Sequence, residues 1–569
     1  MQKQQGFLLV SVITGCLAIL ALFMIPAERT PHSLLGYSTS RWLLLIWVAA
    51  GVLAIAALLY TSRRVPGRMA WLQERLKRST SGWGYLIALL ASALGVLTGL
   101  FFVYTYSGLT NKQVIPLFFR LMPVILWISF LCLEALVYLI WFSRREAQPS
   151  FREILGGLSQ AMWRRRFDLA AVFLLCVAIL LVFLPVFQSV APMPGSDFTA
   201  HVRQAQRMAE TRINESSYFL YQFMVIAFHM VIPAMDYLAA GVWVVVVFQL
   251  ILGWTLYAML RWGLRRAFEG QPALACAISA VVALCLLMIT PLNVLTWEAH
   301  NLYFGYIGIN VYHNPTSVLL KPLALLVYLA AVAVFSAGDE SSRMRVRNML
   351  PFWVIGGITL LCTLAKPNFV IAFLPALGIM AMIWLWQRKK IDWLGLVGGI
   401  VLPAVGLLAW QYLATYSSDR VLADEAGILF APFLVYGRES DDLLLKFILS
   451  IAFPLAVYML YYRRARQDWS LNLAWLTFGC GAFFTYFFAE SGVRLQDANF
   501  AWSGQVTLFV LYAVSATFFI GQAFDRRSTY QIHKKLTPFV ICGVIFFIQV
   551  VCGILWYSLH LTQPGNVWW

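Results

Sequence analysis

The chain has 569 residues, of which 61% are hydrophobic and only 12% charged. A soluble domain carries about 25% charged residues, so the composition excludes a soluble fold and implies a polytopic membrane protein. A formal net charge of +17 would suggest a nucleic-acid partner in a soluble protein, but here its meaning depends on where the charges lie.

Continuous apolar runs, such as "LLLIWVAAGVLAIAALLY", show none of the alternation of a barrel strand, so the spans are predicted to be helices. About fifteen are expected, near 6–25, 42–61, 83–106, 116–142, 168–190, 239–260, 273–293, 317–336, 350–365, 368–387, 393–415, 442–461, 471–489, 505–524 and 536–558. The first segment has no small-residue cleavage site and reads as a retained helix. The fold class is therefore all-α, a transmembrane helical bundle. Its domains are a four-span N-terminal region, 1–150, and a core, 168–569. The nine cysteines fall in apolar segments without CxxC spacing and read as small core residues, with no metal site.

Most of the 42 basic residues sit in alternate loops: 63–78, 144–166, 261–266, 343–347, 388–390, 463–466 and 525–535. The positive-inside rule assigns these loops and the N-terminus to the cytoplasm. The positive charge is then a topology signal, and no nucleic-acid partner is implied. The apolar stretch "YFLYQFMVIAFHMVIP" (218–233) cannot be a crossing without sending the 261–266 cluster outside, so it reads as a re-entrant or interfacial helix. The opposite loops hold most of the acids and all but one of the seven histidines. No GxxxxGK[ST] cradle supports ATP-driven transport.

Four clusters on that outer side carry the candidate chemistry. In "GSDFTAHVRQAQ", Asp197 and His201 are four residues apart and share a helical face, with Arg203 close behind; Ser196 or Asp197 is the N-cap. "TWEAHNLYFGYIGINVYHNPTSVLLKP" (296–322) holds Glu298, His300, His313 and Lys321, and its Asn314-Pro315 pair starts a helix. Lys321 falls one or two turns into an apolar span and either snorkels or binds an anion. "TLAKPNFVIAFLPAL" (363–377) puts Lys366 at a proline break close to the headgroups, where an ammonium can hold a phosphate. "FAESGVRLQDANFAW" (488–502) carries Glu490, Arg494 and Asp497. Arg494 suits a phosphate through its planar fork or pairs with a neighbouring acid. The loop 417–442 reads as a flap over a lipid substrate or as a solvated connection.

This arrangement resembles the GT-C glycosyltransferases, multi-span enzymes that take sugars from polyprenyl-phosphate or polyprenyl-diphosphate carriers. The likeness covers 168–569. It rests on an acid, Asp197, in the first outer loop after the span 168–190, on the surface helices that follow, on the Lys366-Pro367 break and on the late polar loop around Arg494. It implies an inverting transfer to a glycan or glycolipid acceptor on the periplasmic face of a bacterial inner membrane. Two departures stand out. The first four spans are extra, and Phe198 and Thr199 follow Asp197 where several members have paired acids, so a divalent metal is not favoured. The chemistry fits on its own terms: Asp197 as base for the acceptor hydroxyl, His201 with Glu298 or His300 orienting it, and Lys366, Arg494 and Lys321 neutralising the carrier phosphate. A lipid-linked-oligosaccharide flippase and a polysaccharide polymerase or ligase are the alternatives. The flippase should show charge along the middle of several spans, and the polymerase or ligase large arginine-rich outer loops.

Overall fold

In a computed structural model of the protein, the described residues are 165–562, apart from 213, 215, 265–267, 269–270, 294–302, 304, 337–351, 417–426 and 525–531. All of them belong to one compact unit, Ser150–Trp569. The four N-terminal spans expected from the sequence, and the candidates Glu298 and His300, lie outside the described residues.

The unit is helical. In chain order it comprises α1 (Arg166–Val190), α2 (Asp197–Thr211), α3 (Leu220–Val231), α4 (Tyr237–Gly263), α5 (Pro272–Met288), α6 (Pro315–Ser336), α7 (Phe352–Ala365), α8 (Asn368–Trp386) and α9 (Leu402–Tyr416), the last preceded by a wider π-helical segment, Leu394–Val401. After a short strand β1 (Ile428–Phe430) come α10 (Leu443–Ser450), α11 (Ala452–Leu460), α12 (Trp469–Phe487), strand β2 (Phe488–Glu490), α13 (Ala501–Ala523) and α14 (Ile532–Thr562). Among the described residues, seven helical segments are long and apolar enough to cross a bilayer, or eight if the bent pair α10–α11 is one span. The protein is therefore an integral membrane protein with an all-α core. Exposed Phe173, Leu174 and Leu181 on α1 and Phe547 on α14 are what a lipid-facing surface requires.

Four crossings expected from the sequence are not among these seven; one of them, α12, has the length, 19 residues, but is not apolar enough. Helix α5 stops at Met288, with Ile289 extended at ψ 140°, and Pro291 disfavours a return to helical backbone at Thr290. Helix α7 is described over 14 residues, about 21 Å at 1.5 Å per residue, and begins directly after the undescribed stretch 337–351. The 442–461 segment bends by 65° between α10 and α11. Pro454 has no N–H for the carbonyl of Ser450, and that carbonyl accepts the Tyr512 hydroxyl instead, at 2.7 Å. Helix α3, within the stretch read as interfacial, has 12 residues and is too short to cross.

Helices α6 and α13 form the centre, with 89% and 78% of their apolar windows buried. Asp168, in the first turn of α1, accepts hydrogen bonds from Tyr257 (2.8 Å) and Arg261 (3.0 Å). It thereby ties the start of α1 to the end of α4 and places an acid at a helix N-terminus, where the dipole favours it. Helices α12 and α13 approach closely because two glycines face hydroxyls: a Cβ on Gly481 would lie 2.1 Å from Thr507 Oγ1, and one on Gly504 2.5 Å from Thr485 Oγ1. Small residues at such contacts let membrane helices pack backbone to backbone. Because α12 runs on into β2, this packing also sets where the Glu490 turn emerges.

Candidate active site

The site begins at the chain reversal between α1 and α2. Gly195 adopts φ +82°, a conformation open to glycine at no steric cost. Ser196 then caps α2: its hydroxyl accepts the Thr199 N–H at 3.2 Å. Thr199 locks the turn by donating to the carbonyls of Met193 (2.6 Å) and Ala191 (2.8 Å). The open question of which residue caps the helix is thus answered in favour of Ser196. Asp197 is in the first turn with its carboxylate free for other work. Phe198, Val202 and Ala205 bury the opposite face of α2, at the spacing an amphipathic helix needs.

The carboxylate of Asp197 accepts a 2.6 Å hydrogen bond from Asn314 Nδ2, and His313 Nε2 lies 3.8 Å from the same oxygen. Asn314 serves two elements at once. Its amide oxygen accepts the Ser317 N–H at 2.9 Å and the Thr316 hydroxyl at 2.7 Å, so it caps α6. Its amide nitrogen is left for Asp197. The buried Lys366, in the break between α7 and α8, donates to Thr316 Oγ1 at 3.4 Å and lies 4.0 Å from the centre of the Trp502 ring. A cation over an indole face in a desolvated setting is held there by the ring quadrupole. Acid and lysine are therefore joined through Asn314 and Thr316.

Loss of hydration works to raise the pKa of Asp197. His313, Lys366, the Asn314 hydrogen bond and His201 outweigh it and hold the carboxyl below its ordinary range. His201 bonds to Gln222 through Nδ1 at 3.0 Å, and Gln222 in turn donates to Gln204 at 2.8 Å. Burial pulls His201 down to about 4, with Lys366 adding to the shift and Asp197 and Gln204 opposing it. Burial likewise pulls His313 down to about 3, against Asp197. Both imidazoles are neutral near pH 7, so they serve as hydrogen-bonding and shaping groups there. Between pH 4 and 6.5 an unfolded chain takes up these protons and the folded one does not. Stability must then rise with pH across that window, with a slope of up to ~1.4 kcal/mol per pH unit for each histidine. Thermal unfolding in detergent between pH 4 and 7 checks this, and His201→Gln should flatten the slope.

The late polar segment forms the other wall. Strand β2 pairs antiparallel with β1, with Ile428 opposite Glu490, and leads into a 3₁₀ turn, Gly492–Asp497. Arg494 Nε bonds to Glu490 at 3.0 Å, and Asn499 bonds to the other oxygen of Glu490. Loss of hydration raises the Asp497 carboxyl; Arg494 and Asn499 oppose the shift, and Glu490 and Asp197 reinforce it. Tyr218, between α2 and α3, joins the two walls. Burial pushes its hydroxyl up to about 12, opposed by Arg494 and reinforced by Asp197, Asp497 and Glu490, and Lys366 lies 6.0 Å from its ring.

Of the residues singled out in the sequence, Asp197, His201, His313 and Lys366 converge, and Glu490, Arg494 and Asp497 lie within electrostatic reach of them through Tyr218. Arg203 lies on the exposed face of α2. Lys321 is committed elsewhere: its ammonium donates to Asn310 Oδ1 at 2.8 Å and lies 5.1 Å from the Phe509 ring. Asn310 in turn holds the carbonyls of Leu286 and Ile289 at the end of α5. The sequence reading missed Tyr218, Gln222, Thr316 and Trp502, and missed the bond from Asn314 to Asp197. All five are neutral, and only the Asn-Pro pair carried a signal, which spoke for the cap alone. Among the described residues, no three His, Cys, Asp or Glu side chains converge as a metal shell.

An ionised carboxylate clamped by an amide, two neutral imidazoles and a buried lysine, facing an arginine-bearing turn, can take a proton from a hydroxyl and hold an anion beside it. Comparisons of the chain with protein-family models, with curated proteins and with solved structures find no match.

Proposed function

We propose that this protein is a membrane glycosyltransferase that moves a sugar from a polyprenyl-phosphate or polyprenyl-diphosphate carrier to a glycan or glycolipid acceptor. The observation that carries this reading is the pairing of Asp197, relieved of capping by Ser196 and clamped by Asn314, with Lys366 on the same short hydrogen-bonded path. Asp197 acts as the general base for the acceptor hydroxyl. Lys366 faces the carrier phosphate, and Arg494 supplements it. The low pKa of Asp197 suits an empty site. A donor phosphate drawn to Lys366 neutralises part of the charge that depresses it, and the carboxylate gains basicity as the substrate arrives. Mass spectrometry of lipid-linked glycans from cells with and without the protein tests the reading. One glycan should gain a sugar only when the protein is present, and identical profiles would remove the proposal.

In this reading Asp197 stands on the extracytoplasmic face of a bacterial inner membrane, with the arginine clusters inside. Labelling with an impermeant thiol reagent, in a background lacking the nine native cysteines, checks the orientation. Pro194→Cys should label in intact cells and Lys390→Cys only after lysis; labelling of both from one side would refute it. Pro194 is the better position because its neighbour Gly195 has φ +82°, where any side chain is strained.

A further inference from the structure

At the end of the bundle opposite Asp197, a cavity of about 770 Å³ opens between the C-terminal half of α8 and the N-terminal half of α12. Helix α8 runs for 19 residues from beside Lys366 to Trp386, about 28 Å, so the two sites lie at the two headgroup levels. The volume lies in the range of sites that take a small organic ligand.

The walls have a polarity. Lys389 and Arg466 stand at the rim. Both are exposed, and neither has a carboxylate partner among the described residues. Lys389 lies 5.1 Å from the ring of the buried Trp384, and no Asp or Glu lines the cavity. Further in, the walls are mostly apolar, Asn472 excepted, and run along α12 from Trp469 to Cys480, about 16 Å of helix. A cationic mouth followed by a mostly apolar trough matches in order the phosphate and the acyl chain of a phospholipid. Basic pockets between membrane helices at headgroup level hold anionic headgroups.

We infer that this cavity binds one anionic glycerophospholipid, with its phosphate at Lys389 and Arg466 and an acyl chain along α12. A free anion has no use for the apolar depth, and a zwitterionic lipid makes poor use of two cations that have no carboxylate partner among the described residues. The inference stands apart from the sugar-transfer reading.

Native mass spectrometry of the full chain, released from nanodiscs of mixed phosphatidylglycerol and phosphatidylcholine, tests it. One phosphatidylglycerol should stay bound under activation that strips phosphatidylcholine. Two interfacial cations are worth about 1 kcal/mol each, so the double variant Lys389→Ala/Arg466→Ala should lose ~30-fold in phosphatidylglycerol retention, with phosphatidylcholine retention unchanged as the control for folding. Equal retention of the two lipids overturns the inference, as does unchanged phosphatidylglycerol binding in the double variant. Displacement of the bound lipid by inorganic phosphate or by a polyprenyl phosphate at equal concentration also overturns it.

Discussion

Asp197→Asn should leave a protein that inserts, purifies as a folded bundle and binds the polyprenyl donor, yet transfers sugar ~10²–10⁴-fold more slowly, the range typical of losing a general base. The geometry sharpens this expectation. Asn caps a helix about as well as Asp, so a capping residue would tolerate the change; here Ser196 holds the cap. An Asn at 197 can still accept from Asn314 through its amide oxygen, which leaves the clamp in place and removes only the charge and basicity. Ser196→Ala is the counterpart. It should cost ~1 kcal/mol of stability and change transfer far less than Asp197→Asn. Unfolding midpoints and single-turnover transfer rates on the two variants check both halves. Near-normal transfer by Asp197→Asn would show that the carboxylate takes no proton.

The second large effect is expected at Lys366. Lys366→Met keeps the length of the chain over Trp502 and removes the charge. It should cost ~10²–10³-fold in kcat/KM for the donor, as losing one preorganised group at a developing anion does. The acceptor KM should hardly move. Asp197 loses one of the charges that depress it, so the acid limb of the pH profile should shift upward in this variant, a readout that mere misfolding would not produce. Arg494→Ala should do less to transfer and more to the fold. Arg494 is paired with the buried Glu490, and removing one partner of such a pair leaves the other charge poorly compensated. Steady-state kinetics with donor and acceptor varied separately distinguish these outcomes.

Seven of the expected spans were legible among the described residues because lipid imposes long apolar runs. Helix α1 covers Arg166–Val190 where 168–190 was expected, and the break at Lys366-Pro367 lies where the proline put it. The bend in 442–461 was not legible. It depends on the Ser450 carbonyl finding Tyr512, a partner 62 residues away, and no periodicity records such a contact. The strands β1 and β2 have three residues each, too few for alternation to show. In the site, charged residues announced themselves and neutral ones did not. Asn314 meets Asp197 across 117 residues, and Thr316, Gln222 and Trp502 look like ordinary helix residues until the helices are packed. The partner of Lys321 was not legible either, because Asn310 is uncharged and lies in the preceding loop.

The most direct test follows the sugar–phosphate bond itself. The purified protein is reconstituted into proteoliposomes holding a polyprenyl-phosphate donor labelled in the sugar, with acceptor supplied, and the lipid products are separated after reaction. The account predicts that the bond breaks: label moves to the acceptor, unlabelled carrier phosphate accumulates in equal amount, and Asp197→Asn abolishes both. Labelled donor that reaches the opposite leaflet with its sugar–phosphate bond intact, at equal rates in wild type and Asp197→Asn, would contradict the account and mark the protein as a carrier of lipid-linked sugars.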